Sequence, residues 1–131
     1  MKYYLKTLNA CNLYTIEIVP CKKELDDSKC IIFDESQIET FKELVSEIQN
    51  RMRIFWQEKC CERDIDFDTD REYSYVTTSY SSHLKKLKVI RNLIKRKENA
   101  VTCRYNYFKN EGDAKELCEC LKEILKKYGI L

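Results

Sequence analysis

The sequence predicts an α+β domain, a mostly antiparallel sheet of about four to five strands packed by three helices, in the order β-β-β-α-β-α-β-α. The central observation is a long amphipathic stretch from Ser36 to about Arg63. Ile38, Phe41, Val45, Ile48, Met52 and Phe55 recur at steps of three and four, with Leu44 and Trp56 beside them. At helical pitch these side chains fall within an arc of about 120°, the width of a core-facing stripe. The second observation is the set of β-branched and aromatic runs around this helix. The third is a capped amphipathic segment at the C-terminal end, stopped by Gly129.

In chain order, residues 2–8 and 12–19 read as strands, with Asn9 to Asn12 as a hairpin loop and Pro20 ending the second strand. A polar excursion from Lys22 to Lys29 leads to a third strand, Cys30 to Asp34, and then to the long helix. Ser36 with Glu39 has the spacing of a capping box for that helix. Asp64 to Asp70 alternates strictly, and Tyr73 to Thr78 continues as strand. Ser81 or Ser82 is expected to cap a second helix reaching about Glu98, and Ala100 to Phe108 to form a strand. Asp113 with Glu116 is the capping pair expected for the last helix, which buries Ala114, Leu117, Cys118, Leu121, Ile124, Leu125 and Tyr128. Nothing in the 131 residues marks a linker or a repeat, so residues 1–131 read as one domain.

Composition excludes more than it assigns. With 44% hydrophobic and 35% charged residues the chain is globular, and no apolar run approaches the roughly 20 residues of a membrane span. Met1 to Lys6 lacks the apolar core of a signal peptide. The expected location is therefore cytoplasmic (host cytoplasm for a viral protein), with the eight cysteines as reduced thiols. The pairs Cys60-Cys61 and Cys118-x-Cys120 lack the spacing of a structural zinc site, so no metal is expected. There is no glycine-rich phosphate loop and no G-x-S-x-G, and the single histidine, His83, reads as a packed or capping residue. No catalytic residue, enzymatic activity or cofactor is expected.

Charge is partitioned along the chain. Residues 34–72 carry twelve acids against six bases, and residues 80–109 carry nine bases against Glu98 alone. In the expected second helix, Lys85, Lys88, Arg91, Lys95 and Arg96 share one arc with Asn92 at its centre, a basic face offered to a partner. The segment Arg104-Tyr105-Asn106-Tyr107-Phe108-Lys109 interleaves bases with aromatic rings, as platforms for single-stranded bases do. Asp64, Asp66, Asp68 and Asp70 form an acidic patch suited to deterring strand pairing or meeting a basic partner. These features point to a non-enzymatic protein–protein interaction or inhibitor protein acting on a nucleic-acid-handling complex. The alternative is a nucleic-acid-binding protein that lays helix 82–97 on the phosphate backbone. In size and composition the chain is similar to accessory proteins of phages and mobile elements of AT-rich hosts, anti-CRISPR proteins among them, which implies an anti-defence role. A monomer is expected, with weak homodimerisation through residues 44–56, whose apolar spacing permits a two-helix seam.

Overall fold

The structure, a computed structural model, describes residues 1–7, 9, 11–59, 71–78, 83–93 and 103–131. Tyr3 and Leu5 face inward from β1 (Lys2–Lys6), which lies between β2 (Glu17–Pro20) and β3 (Ile32–Asp34) in an antiparallel sheet of order β2-β1-β3. The register pairs Leu5 with Ile18 and Tyr3 with Phe33, so apolar side chains line one face. The β1–β2 connection is longer than a hairpin loop. A 3₁₀ turn at Leu13–Thr15 occupies the start of the predicted second strand, anchored by the buried Leu13 and Ile16.

The long helix is present as α1 (Ile38–Lys59); residues 60–63, expected to extend it, lie outside the described residues. Its cap sits two positions earlier than Ser36. A 3₁₀ turn, Glu35–Gln37, precedes the helix, so Asp34 accepts from the Ser36 amide at 3.0 Å and Gln37 Oε1 accepts from the Asp34 amide at 3.3 Å. The box is therefore D-x-x-Q, built with the same reciprocal logic as the expected S-x-x-E. Phe41, Leu44, Ile48, Met52, Phe55 and Trp56 are buried, while Ile38 and Val45 are half-buried. This stripe is covered within the chain. Of the residues expected to support a homodimer, Ile54 is the apolar one left exposed, at 37%.

The second sheet pairs β4 (Glu72–Thr77) with β5 (Lys88–Leu93) over six antiparallel rungs, from Glu72 opposite Leu93 to Thr77 opposite Lys88. This overturns the expected second helix. Only Leu84–Lys86 turns, as one 3₁₀ segment capped by His83, and the next residues are extended. Lys88-Val89-Ile90-Arg91-Asn92-Leu93 fits either period when read alone. Two adjacent β-branched residues and a full ladder against β4 decide for strand. Residues 81, 82 and 94–98 of that expected helix lie outside the described residues, as do 64–70 of the alternating segment.

The strand expected over 100–108 is also absent where it is described. Residues 103–105 turn, with the Asn106 amide donating to the Cys103 carbonyl at 2.8 Å, and Tyr105 takes a left-handed φ of 57°. Phe108 alone bridges to the ladder, exchanging two hydrogen bonds with Ser74 on the free edge of β4. The predicted third helix is the second helix observed, α2 (Glu111–Lys127). Its cap is Asn110, whose side chain accepts from the Gly112 amide at 2.8 Å, rather than the Asp113–Glu116 pair. Gly129, at φ 75°, stops the helix in the left-handed conformation as expected and completes a Schellman motif: its amide reaches the Lys126 carbonyl and that of Ile130 reaches the Leu125 carbonyl. The predicted inner face of α2 is buried, with Tyr128 half-buried.

The fold is thus α+β, with two helices and two small antiparallel sheets among the described residues rather than three helices on one sheet. One contiguous apolar cluster joins both sheets to α1 and α2. Phe33 stacks on Phe41 at 3.9 Å between ring centroids. A chain of edge-to-face contacts runs inward from Tyr14 through Tyr105, Trp56 and Tyr107 to Tyr73. Such pairs contribute about 0.5–1.5 kcal/mol each beyond their buried area. No helix among the described residues is long and apolar enough to cross a membrane.

Candidate partner-binding surface

The lysines divide by secondary structure. Every lysine of the two helices has a carboxylate within 4 Å: Lys42 with Glu39, Lys59 with Glu116, Lys115 with Glu111, Lys122 with Glu119, Lys126 with Glu123 and Lys127 with Glu47. Most are neighbours one helical turn apart, a spacing that brings the two side chains together with little ordering cost. Lys2, Lys6, Lys22, Lys23, Lys29, Lys85, Lys86 and Lys88 are all exposed, and none has such a partner among the described residues. They lie on the first sheet, on the loop after β2, on the turn leading into β5 and at the start of β5.

These positions are linked by packing. Lys6, Lys22 and Lys23 line an open cleft of about 410 Å³ with Tyr4, Val19, Pro20 and Leu25, and no carboxylate among the described residues lines it. On the other side of the loop, His83 donates to the Asp27 backbone, which brings the Leu84–Lys86 turn against the loop. The His83 Nδ1 accepts from the Lys85 amide at 3.3 Å. Burial pushes the His83 imidazole below its ordinary value, with Lys85 and Lys86 adding to the shift and Asp27 opposing it. Asp26 is held below the usual carboxylate range, chiefly by hydrogen bonds from Ser28 and also by Lys29 and Lys86.

Of the basic residues singled out in the sequence, those among the described residues are not gathered on one face. Lys85 is in the turn, and Lys88 and Arg91 project from opposite faces of β5, being three positions apart on a strand. Arg91 is used structurally: it donates to Ser74 Oγ at 2.8 Å and to the Lys109 carbonyl at 3.0 Å, and pairs with Glu72 at 3.3 Å. Asn92 donates to the Tyr75 hydroxyl. Lys95, Arg96 and the aspartates 64, 66, 68 and 70 lie outside the described residues.

The expected platform of Arg104, Tyr105 and Tyr107 divides in the same way. Tyr107 is fully buried between Trp56 and Tyr73 and offers no face to a base. Arg104 is exposed and lies over the rings of both Tyr14 and Tyr105, which are half-buried. Two features of this corner escaped sequence reasoning. Asn106, fully buried, accepts from the Val76 amide at 2.9 Å and donates to the Val76 carbonyl at 2.8 Å and the Cys11 carbonyl at 2.9 Å. Cys103 Sγ lies 3.1 Å from Cys11 Sγ. An asparagine inside an aromatic run was the available signal for the first; contact between residues so far apart in sequence leaves none for the second.

The six described cysteines, Cys11, Cys21, Cys30, Cys103, Cys118 and Cys120, are thiols. Burial raises Cys30 and Cys118 above the ordinary thiol value. No group of three or more metal-ligating side chains converges among the described residues. No family model, curated protein or solved structure matches the chain.

Proposed function

We propose that this is a non-enzymatic interaction protein that docks its sheet-and-loop face on an acidic surface of a partner protein belonging to a nucleic-acid-handling complex. The observation that supports this reading is the division of the lysines: those on the helices are ion-paired, and those around the loop after β2 are exposed with no carboxylate within ion-pair distance among the described residues. A protein partner suits this face better than a phosphate backbone does. Glu17, Glu24, Asp26, Asp27 and Asp34 stand exposed among or beside the lysines on the same elements. A uniformly negative backbone is repelled by such acids, whereas a patterned protein surface can match them. The continuous basic helix that favoured phosphate is no longer available, since its described part is a turn and a strand. Occupying the partner's surface is itself the inhibitory act, and an anti-defence role requires nothing further of the chain.

The test is capture from nuclease-treated lysate of the source organism by three forms of the full chain. These are wild type, Lys6→Glu/Lys22→Glu/Lys23→Glu, and the helix control Lys115→Glu/Lys122→Glu. The expected result is a partner retained by wild type and control and lost by the first variant. Loss on nuclease treatment alone, with gel shifts on single-stranded or duplex nucleic acid, would establish the phosphate reading instead. Capture unchanged by the triple substitution would remove the lysine face from the mechanism.

A further inference from the structure

Cys11 and Cys103 are 92 positions apart, yet their sulfurs lie 3.1 Å from each other. A covalent bond requires about 2.05 Å, so roughly 1 Å of movement separates contact from linkage. Both residues are held at the same junction by separate interactions. The Cys11 amide and thiol both turn to Asn9 Oδ1, at 3.2 and 3.1 Å. Across the contact, the Asn106 amide closes a turn on the Cys103 carbonyl, and the Asn106 side chain holds the Cys11 carbonyl at 2.9 Å. The backbones carrying the two thiols are thus already joined, which removes most of the ordering that a cross-link would otherwise require.

We propose that Cys11 and Cys103 form a redox clasp, a site of modification by low-molecular-weight disulfides such as glutathione disulfide. Cys11 is half-buried and Cys103 only 3% exposed, so the two act in order. The Cys11 thiolate attacks one sulfur of glutathione disulfide, forming a mixed disulfide and releasing the first glutathione. The Cys103 thiolate then attacks Cys11 Sγ and releases the second glutathione. Two protein thiols are oxidised, one small disulfide is reduced, and the two thiol protons end on the two glutathiones. The product ties the loop after β1 to the turn carrying Arg104 and Tyr105. It fixes the stack of Arg104 over Tyr14 and Tyr105, which spans this same junction.

The full chain is incubated with glutathione disulfide or with dithiothreitol and digested, and its cysteine-containing peptides are identified by mass. Oxidation is expected to give a linked Cys11–Cys103 peptide about 2 Da lighter than the sum of its parts. Because the cross-link closes a long loop, it is expected to raise the thermal midpoint by about 10 °C. Cys11→Ser, at the more accessible thiol, should abolish both effects while keeping the reduced protein's circular dichroism. In the unmodified chain, alkylation of Cys11 and Cys103 should be lost together on oxidation, a readout that survives if Cys103→Ser fails to fold. Linkage of Cys11 to another cysteine, a stable glutathione adduct on Cys11, or stoichiometric zinc that protects both thiols until a chelator removes it would each overturn the proposal.

Discussion

The two halves of the surface handle charge differently. On α1 and α2 each lysine has a carboxylate within 4 Å, most of them one turn away; on the first sheet, the loop after β2, the turn before β5 and the start of β5, lysines such as Lys6, Lys22, Lys85 and Lys88 make no ion pair among the described residues. Surface pairs are worth little for stability, typically below about 1 kcal/mol. The difference therefore concerns which face has electrostatic potential left to offer. Net charge counted along the chain conceals this, because a helix pairs its charges locally and a loop does not. The segment 80–109 is basic by composition, but what distinguishes a basic residue here is whether the fold consumes it in hydrogen bonds and an ion pair, as it does Arg91, or leaves it without an ion pair among the described residues, as it does Lys85 and Lys88.

The sharpest way to break the comparison is to make the helical face fail. Ile48 is 3% exposed on the stripe of α1 that packs into the core, and Ile54 is the exposed large apolar residue of the same helix. Burying a carboxylate in place of Ile48 costs on the order of the whole stability of a small domain. Ile48→Glu is expected to unfold the chain, read as lost cooperative melting. Ile54→Glu is expected to change stability by no more than about 0.5 kcal/mol. Light scattering over a hundredfold dilution of the Ile54 variant and wild type should give the mass of one chain for both at the lower concentrations. A constant mass of two chains for wild type would show that the exposed part of α1 is an interface.

Next in size is the junction between the halves. Asn106→Ala removes three hydrogen bonds, two buried and one part-buried, and strands the Val76 amide and two carbonyls, so it is expected to cost about 3 kcal/mol in chemical denaturation. Asn92→Ala, which deletes one exposed contact to the Tyr75 hydroxyl, should cost no more than about 0.5 kcal/mol. Equal losses would mean that Asn106 does not anchor the 103–106 turn.

This pair also shows where the sequence was legible. The stripe of α1 and the inner face of α2 could be read directly, since each element's buried side chains recur at its own period and need no knowledge of neighbours. The strands of the first sheet were legible in part: β1 and β3 fall within the expected runs, but the start of the expected second strand is the 3₁₀ turn at Leu13–Thr15. Strand β5 was not: Leu87, Ile90, Leu93 and Ile94 satisfy a helical spacing, and only the ladder to β4 decides between periods. The turn at 103–106 was hidden because an asparagine side chain takes the part of a neighbouring strand, a choice made by Val76 and Cys11 rather than by local propensity. The unpaired lysines were individually visible, but their lack of partners is a property of the folded surface.

The smallest expected effect is a pH dependence at the seam where the Leu84–Lys86 turn meets the loop after β2. His83 is the single histidine, so this region of the titration curve belongs to one side chain. Burial lowers its proton affinity, Lys85 and Lys86 lower it further, and Asp27 offsets part of the shift. A base whose folded value is depressed binds its proton first in the unfolded chain. Its stability contribution is therefore fully present above the ordinary value near 6.5 and is lost as pH falls through that value toward the folded one. The lowered carboxylates Asp26, Asp34 and Glu47 have the same sign but act at more acidic pH, below the ordinary carboxylate range. Thermal midpoints at pH 7.5, 6.5 and 5.5 should thus fall for wild type and stay level for His83→Asn, whose amide oxygen can still accept from the Lys85 amide. A wild-type midpoint that rises on acidification would show that protonated His83 is stabilised by the Asp27 side of the seam, leaving the loop held by charge rather than by burial.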